Sequence, residues 1–393
     1  MRIGVDATTW WNRRGFGRFT RLLLGAMLDA PRGHEFVLFV DRPPEPEMLR
    51  PGVKIVRVDT RRTVTEAAVA DGSRSVGDLL AFRRAVAAQR LDVMYYPAVY
   101  SWYPAGPRTP TVVTFHDAIA EHFSSLVFPS WRGRMMWGAK VWLAKTTARR
   151  ITTVSQAARE EIAAHMGIDR SRIAVFLEAA DPRFQPVADL PARRAMRGRL
   201  GLDADARLLL YVGGLAPHKN LLRLVEAYAV ALDDPAAADL HLVLAGDPKG
   251  DGFHSNYEAL LALVDSDARL TGRVRFTGYV PDEDLPALYS DALMVAMPAL
   301  SEGFGLPAAE AIACGTPVIA TAGGAVQEVV AGAGLFFDPL DVADMAGVIV
   351  RCVSDEALMG GLRAATLPRA AELSWPRSAQ GLIELLESIG ARR

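Results

Sequence analysis

Cysteine is almost missing from this 393-residue chain, which has two, Cys314 and Cys352. Neither belongs to a CxxC pair, so no zinc site or disulfide framework is indicated, and the chain reads as one from a reducing, cytoplasmic compartment. Long apolar runs are missing as well. No stretch of about 18 apolar residues occurs, so no membrane-spanning helix is expected. The opening MRIGVDATTWWNRRGFGRF is broken by charge and glycine and lacks a signal-type apolar stretch. Net charge is nearly zero, −1 from 44 basic and 45 acidic residues. An anionic ligand must therefore be met by local groups, not by a global field, and bulk binding to nucleic acid is not expected. No GxGxxG follows a strand, so a nicotinamide dehydrogenase is unsupported. Tandem repeats, low-complexity tracts and metal-ligand clusters are likewise missing.

Apolar content is not short. Half the residues are hydrophobic, which excludes disorder, and the length suits two or three domains of about 100–200 residues. Short apolar runs recur, each followed by a helix-like stretch. In the first half they are Ile3–Val5, Phe36–Val40, Ile55–Val58, Val93–Tyr96, Val112–Phe115, Ile151–Val154 and Ile173–Leu177. In the second they are Leu208–Val212, Leu240–Ala245, Val274–Thr277, Leu293–Met297, Val318–Ala320 and Leu335–Phe337. Near-continuous apolar strands belong to parallel sheets covered on both faces. Alternation with helices predicts an α/β chain with two doubly wound sheets. The stretch Asp181–Arg207, rich in proline and charge, reads as the division. The expected domains are 1–185, a linker and helix over 186–206, 207–375, and a last amphipathic helix over 376–393.

Ligands of open α/β sheets bind beyond the carboxyl ends of strands, so the segments after strands carry the candidates. Ser301–Gly315 reads SEGFGLPAAEAIACG. Pro307 suits the first turn of a helix and Gly315 the position just past its end. Gly303, Phe304 and Gly305 form a loop before a helix start at Leu306 or Pro307, where free N–H groups and the dipole favour an anion. Glu302 precedes the loop and Glu310 is expected in the first turn. Glu310 can reach ribose hydroxyls, and Glu302 a sugar beyond the phosphates. Leu208–Asn220 reads LLLYVGGLAPHKN. Gly213 and Gly214 end a strand, and Lys219 is a mobile point charge suited to a diphosphate and to the charge that builds on a leaving group. In VVTFHDAIAE, His116 ends a strand and can donate to a sugar hydroxyl, while Asp117 holds the turn. Ser155 reads as a helix N-cap. The aromatic run YYPAVYSWY, with Tyr100 and Trp102, suits an acceptor's apolar face or packing within the domain.

The pattern EGFGLPxxEAxACGTPVI resembles the signature of glycosyltransferase family 4, retaining transferases of the GT-B fold, and the resemblance extends across nearly the whole chain. It implies two Rossmann-like domains facing across a cleft, with the last helix crossing back to the first domain. It also implies transfer of a hexose from a GDP- or UDP-sugar to a hydroxyl acceptor on the same face of the ring, with the leaving phosphate taking the proton and no metal or cofactor. Glu310 would hold the donor ribose. Glu302, His116 and Lys219 would serve the reaction centre. Gly303–Leu306, Gly213, Gly214, Tyr279 and Val280 would line the donor site. Gly15 and Gly17 resemble the family's first glycine loop, with Phe16 and Arg18 towards the acceptor. The chain departs from the family at Gly214, where many relatives carry arginine; His218 or Arg18 could compensate. Glycine followed by PHKN is similar to a subgroup rich in mannosyl- and rhamnosyl-type enzymes. A nucleotide-sugar epimerase or hydrolase on the same fold, or a non-catalytic nucleotide-sugar binder, are the alternatives.

Acceptor identity is not legible, because its contacts fall in variable loops such as Thr60–Val76 and Pro97–Pro104. Glycan, lipid-linked sugar and natural-product acceptors stay open. Trp131–Arg150 holds six basic residues, no acid and three of the seven tryptophans. That composition suits peripheral contact with an anionic membrane at its inner face, or a domain helix that buries its tryptophans and turns its arginines outward.

Overall fold

The computed structural model describes residues 1–12, 15–60, 75–123, 130–248 and 255–391, without the Val76 side chain. Most of the expected acceptor loop Thr60–Val76 lies outside the described residues. The chain divides into two compact units, Met1–Glu178 with Ser374–Arg393, and Ala179–Leu373.

The first unit is built on seven parallel strands in the order β3-β2-β1-β4-β5-β6-β7. These are β1 Arg2–Asp6, β2 Glu35–Val40, β3 Val53–Arg57, β4 Val93–Tyr96, β5 Thr111–Thr114, β6 Arg150–Thr153 and β7 Ile173–Val175. Between them run α1 Gly15–Asp29, α2 Val76–Ala88, α3 Ile119–His122, α4 Trp131–Thr147 and α5 Gln156–Met166. The central strands are buried on both faces, as in Val37, Phe39, Val93, Met94, Val112 and Val113. That is why they read as unbroken apolar runs and not as alternating ones. Ser155 caps α5, its Oγ accepting from the Ala158 amide at 2.9 Å, and Asp117 Oδ1 accepts from the Ile119 amide at 3.0 Å.

The second unit repeats the plan with six parallel strands in the order β10-β9-β8-β11-β12-β13. They are β8 Arg207–Val212, β9 Leu240–Ala245, β10 Val274–Gly278, β11 Met294–Met297, β12 Val318–Thr321 and β13 Gly334–Phe337. The helices are α6 Leu190–Leu200, α7 Leu221–Ala231, α8 Tyr257–Ser266, α9 Leu285–Asp291, α10 Leu306–Ala313, α11 Ala325–Val330, α12 Val342–Ser354 and α13 Glu356–Glu372. Both cysteines are buried and free here, and burial pushes each thiol up to about 12.

The division between units falls seven residues before the expected one, and 186–206 is no free linker. Phe184 packs edge-on against Tyr289 at 5.8 Å, and the Val187 amide donates to Ser290 Oγ at 2.9 Å. Arg197 on α6 pairs with Asp291 at 2.6 Å. Proline and charge suggested an exposed connector, but these contacts bind the segment to the second unit.

Helix α14, Trp375–Gly390, belongs to the first unit. Ser374 caps it and Pro376 occupies its first turn, where a missing N–H costs nothing. Trp375, Ala379, Leu382, Ile383, Leu386 and Ile389 form its buried stripe, and Trp375 meets Phe19 of α1 edge-on. The helix packs closely at Gly381, where an added Cβ would lie 2.9 Å from the Phe176 ring, and at Gly390, where it would lie 2.1 Å from Met1 Cε. Arg32–Glu384 and His34–Glu387 contacts close the rim. Leu386 is fully buried, so Leu386→Ala should cost about 2–5 kcal/mol and lower the melting temperature. An unchanged melting curve would mean that α14 contributes little to holding this unit together.

Candidate active site

In the second sheet, β8 lies between β9 and β11, and the strand order reverses there. Loops leaving the carboxyl ends of two such neighbours diverge and open a crevice. The β8 loop carries Gly213, Gly214 and Lys219, and the β11 loop carries Glu302. They meet, with Lys219 Nζ donating to Glu302 Oε1 at 2.6 Å, both side chains mostly covered.

The loops are held rigidly beneath that pair. Tyr211, buried on β8, donates its hydroxyl to Gly214 O at 2.6 Å. Burial and the charge of Glu302 push that phenol well above its ordinary range. A Cβ at Gly213 would stand 2.8 Å from the Tyr211 hydroxyl. Lys219 ends a 3-10 turn, Pro217–Lys219. The next residue, Asn220, takes φ 59° and is buried. Its Nδ2 donates to Pro298 O at 3.1 Å and Pro339 O at 2.8 Å. One side-chain amide thus ties together the loops after β8, β11 and β13. The Leu300 amide donates to His218 O at 2.9 Å and completes the tie.

After Glu302 the chain turns through Gly305, at φ 91°, into α10. A Cβ at Gly305 would also lie 2.7 Å from Val326 Cγ2, so glycine is required on two grounds. No side chain caps the α10 start. Pro307 has no N–H and the Ala308 and Ala309 amides donate to Gly305 O, so the Leu306 amide is the one at this start left to meet an anion. Glu310 is the fifth helical residue and opens the second turn, not the first as expected, because α10 begins at Leu306. Its carboxylate is 1% exposed and accepts from the Tyr289 hydroxyl at 3.0 Å.

A cation and a carboxylate joined at a switch point, next to an uncapped helix start, suit a ligand with a diphosphate and a polyhydroxy group. Two family models match the chain, "Glycosyltransferase Family 4" over residues 13–183 and "Glycosyl transferases group 1" over residues 192–367. The chain belongs to glycosyltransferase family 4. It is 33% identical to the O-antigen chain mannosyltransferase B of Escherichia coli over 267 residues, 67% of this chain and 66% of that protein. It is 36% identical to a D-inositol 3-phosphate glycosyltransferase of Rhodococcus opacus over 57% of this chain and 50% of that one. The chain thus spans between half and about two thirds of the length of these curated relatives. Among solved structures it resembles Anabaena HepE in complex with UDP and glucose. The TM-score is 0.70 at 20% identity, over 98% of this chain and 99% of that one. The fold is GT-B.

Other residues assigned from the family 4 pattern fall in different surroundings. Gly303, Phe304 and Leu306 are buried around the α10 start. Val280 is buried, but Tyr279 is 64% exposed. In the first unit, Gly15 opens α1 and Gly17 is inside it, packed so that a Cβ would sit 2.0 Å from Asn12 O. Phe16 stacks on Tyr100 at 5.1 Å, and Tyr100 lies against Trp137. Trp102 is not available to an acceptor, because it is buried in the core with Phe82 and Tyr103. His116 has both ring nitrogens engaged. Nε2 donates to Pro97 O at 2.9 Å, and Nδ1 faces Glu178 Oε1 at 3.5 Å. Donation to a sugar requires one of these contacts to open.

Four residues with no assigned role in the sequence reading now carry the geometry: Tyr211, Asn220, Tyr289 and Glu178. Only Asn220 had a signal, as the last letter of PHKN. Glu178 is buried. Its carboxyl is raised by burial, against the pull of His116 and Arg18. Arg18 therefore acts on Glu178.

His218 does not replace the missing arginine. Burial and the neighbouring Lys219 push its imidazole down to about 4, against the opposing pull of Glu302, so it is neutral near pH 7. The unfolded chain takes up this proton near pH 6.5, whereas the folded chain resists until about 4. His218 therefore favours folding above pH 6.5 and progressively opposes it as pH falls from 6.5 towards 4. His218→Gln should spare up to about 3 kcal/mol of that acid loss. Urea unfolding at several pH values checks this, and parallel curves for the two proteins would refute it.

Proposed function

We propose that this chain is a retaining hexosyltransferase that moves a sugar from a nucleoside diphosphate to a hydroxyl acceptor. The observation that carries this is the Lys219–Glu302 pair beside the uncapped start of α10. Bound diphosphate would draw Lys219 Nζ and the Leu306 amide at the α10 start to its oxygens, and negative charge grows there as the sugar–phosphate bond breaks. Glu302, relieved of the lysine, would accept from hydroxyls of the sugar ring. Glu310, oriented by Tyr289, would take the ribose. The departing phosphate would receive the acceptor's proton on the face it leaves, so the anomeric configuration is kept and no metal or cofactor is required.

A mannosyl-type donor is supported by the name of the E. coli relative and by the glycine–PHKN loop. HepE, solved with UDP and glucose, supports a nucleotide diphosphate in this fold. The acceptor is a hydroxyl compound, a glycan, a lipid-linked sugar or a natural product, and the reaction is placed in the cytoplasm.

Calorimetry with GDP and UDP tests the nucleotide site. Glu310→Gln keeps an acceptor for Tyr289 but loses the charge, and it should weaken the preferred nucleotide about tenfold or more, near 1.4 kcal/mol. Unchanged affinity would remove Glu310 from the ribose. In a transfer assay, Lys219→Ala should lower kcat by about 100-fold or more, while the unmodified protein keeps its turnover in excess chelator. Near-normal turnover of Lys219→Ala, or inhibition by chelator, would contradict this mechanism.

A further inference from the structure

Helix α4 departs from the pattern of a surface helix, which turns one apolar stripe to the core and polar residues to water. Its inner side is ordinary. Val141 and Ala144 are buried, and half-buried Trp137 donates Nε1 to Glu121 Oε1 at 2.8 Å. The outer side should be polar and is not. At 3.6 residues per turn, Trp131, Met135 and Trp142 fall on one line away from the core, and Leu143 and Met136 lie about 100–120° further round, on the other edge of the outward face. All five are exposed, from 40% to 61%. The expectation that this helix buries its tryptophans fails for Trp131 and Trp142.

The charges point the same way. The helix holds Arg132, Arg134, Lys140 and Lys145 and no acid, and Arg149 and Arg150 follow. Arg132 lies over the Trp131 ring at 5.6 Å. Lys140 and Lys145 donate to Tyr100 O and Met166 O. Along the flank runs a cavity of about 360 Å³, where Arg134, Lys145 and His165 meet the apolar walls of Trp137, Val141 and Trp142. Glu121 also lines it, its carboxyl raised by burial and engaged by Trp137. The whole chain has a charge of only −1, so this positive, apolar surface is a local construction. Tryptophan and methionine ringed by arginine match the boundary of an anionic bilayer, where apolar side chains enter the acyl region and cations meet phosphates. A second copy of the same helix would set like charges against each other.

We propose that α4 docks the protein on an anionic lipid surface, with Trp131, Met135 and Trp142 entering the headgroup–acyl boundary and Arg132 and Arg134 meeting lipid phosphates. This stands whichever sugar or acceptor is used. The test is sedimentation of the full chain with phosphatidylcholine vesicles, with and without about 30 mol% phosphatidylglycerol. The anionic vesicles should bind at least about tenfold more protein, and added salt should release it. Trp131→Ser with Trp142→Ser, and separately Arg132→Glu with Arg134→Glu, should each cut partition about tenfold or more. Melting temperature should not move, since both tryptophans are exposed. Equal sedimentation with both vesicles, or none with either, would overturn the proposal. So would a dimer in solution that the tryptophan variant dissolves, which would give the face to a second copy.

Discussion

The Lys219–Glu302 contact is possible only because β8 and β11 are neighbours at the point where the sheet order reverses. The two residues are 83 positions apart, and apart from the single 3-10 turn Pro217–Lys219 the loops that carry them have no regular element to hold them. Their meeting rests on Asn220, whose buried amide bonds two carbonyls from two other loops. Removing it would leave those carbonyls unsatisfied in a covered site, which costs more than the net contribution of the bonds to stability. The rigidity of the site is therefore backbone rigidity, imposed by the side chain of Asn220, whose backbone is left-handed, and by a glycine, Gly305, that nothing larger can replace.

The central strands were legible because parallel sheets covered on both faces demand near-continuous apolar runs. Strands β3 and β10, with Lys54 and Arg275 among half-exposed residues, were legible from shorter stretches of the same kind. The glycine loop and helix start were legible for a similar reason, since Pro307 and Gly315 are tied to helix ends by backbone chemistry. What was not legible depended on partners distant in sequence. Trp102 looked like an acceptor platform, yet Phe82, twenty positions away, helps enclose it in the core. Segment 186–206 looked like a linker because proline and arginine suggest exposure, but its arginines and amides are bound to α9 and its neighbours. Glu178 carries no local pattern, and only the fold places it against His116.

That His116–Glu178 pair limits what the histidine does. A carbonyl can only accept, so Nε2 must carry a proton towards Pro97 O. Nδ1 then faces the carboxyl either as an acceptor from protonated Glu178 or as a donor to its anion. Burial raises the Glu178 carboxyl, while His116 and Arg18 oppose that rise. Phe19 packs edge-on against the ring at 4.6 Å and fixes its plane. The arrangement holds an orientation well and does not present a free donor.

The missing arginine at Gly214 is not a matter of space. A Cβ there meets nothing within 4 Å, so packing would admit a longer side chain. The remaining positive groups nearby are few and partly committed. Lys219 is matched by Glu302, His218 is neutral near pH 7, and Arg223 donates to Asn220 Oδ1 at 2.9 Å. Arg223 keeps its charge because its partner is a neutral amide, whereas Lys219 becomes available to a diphosphate only on leaving Glu302. The dipole of α10, equivalent to about half a charge at the helix start, adds to that attraction. Under the proposed function Glu302 would do more than bind the sugar, because its bond to Lys219 would keep the lysine from acting as a permanent anion trap. It would release the lysine only when a phosphate offered more than a single carboxylate does.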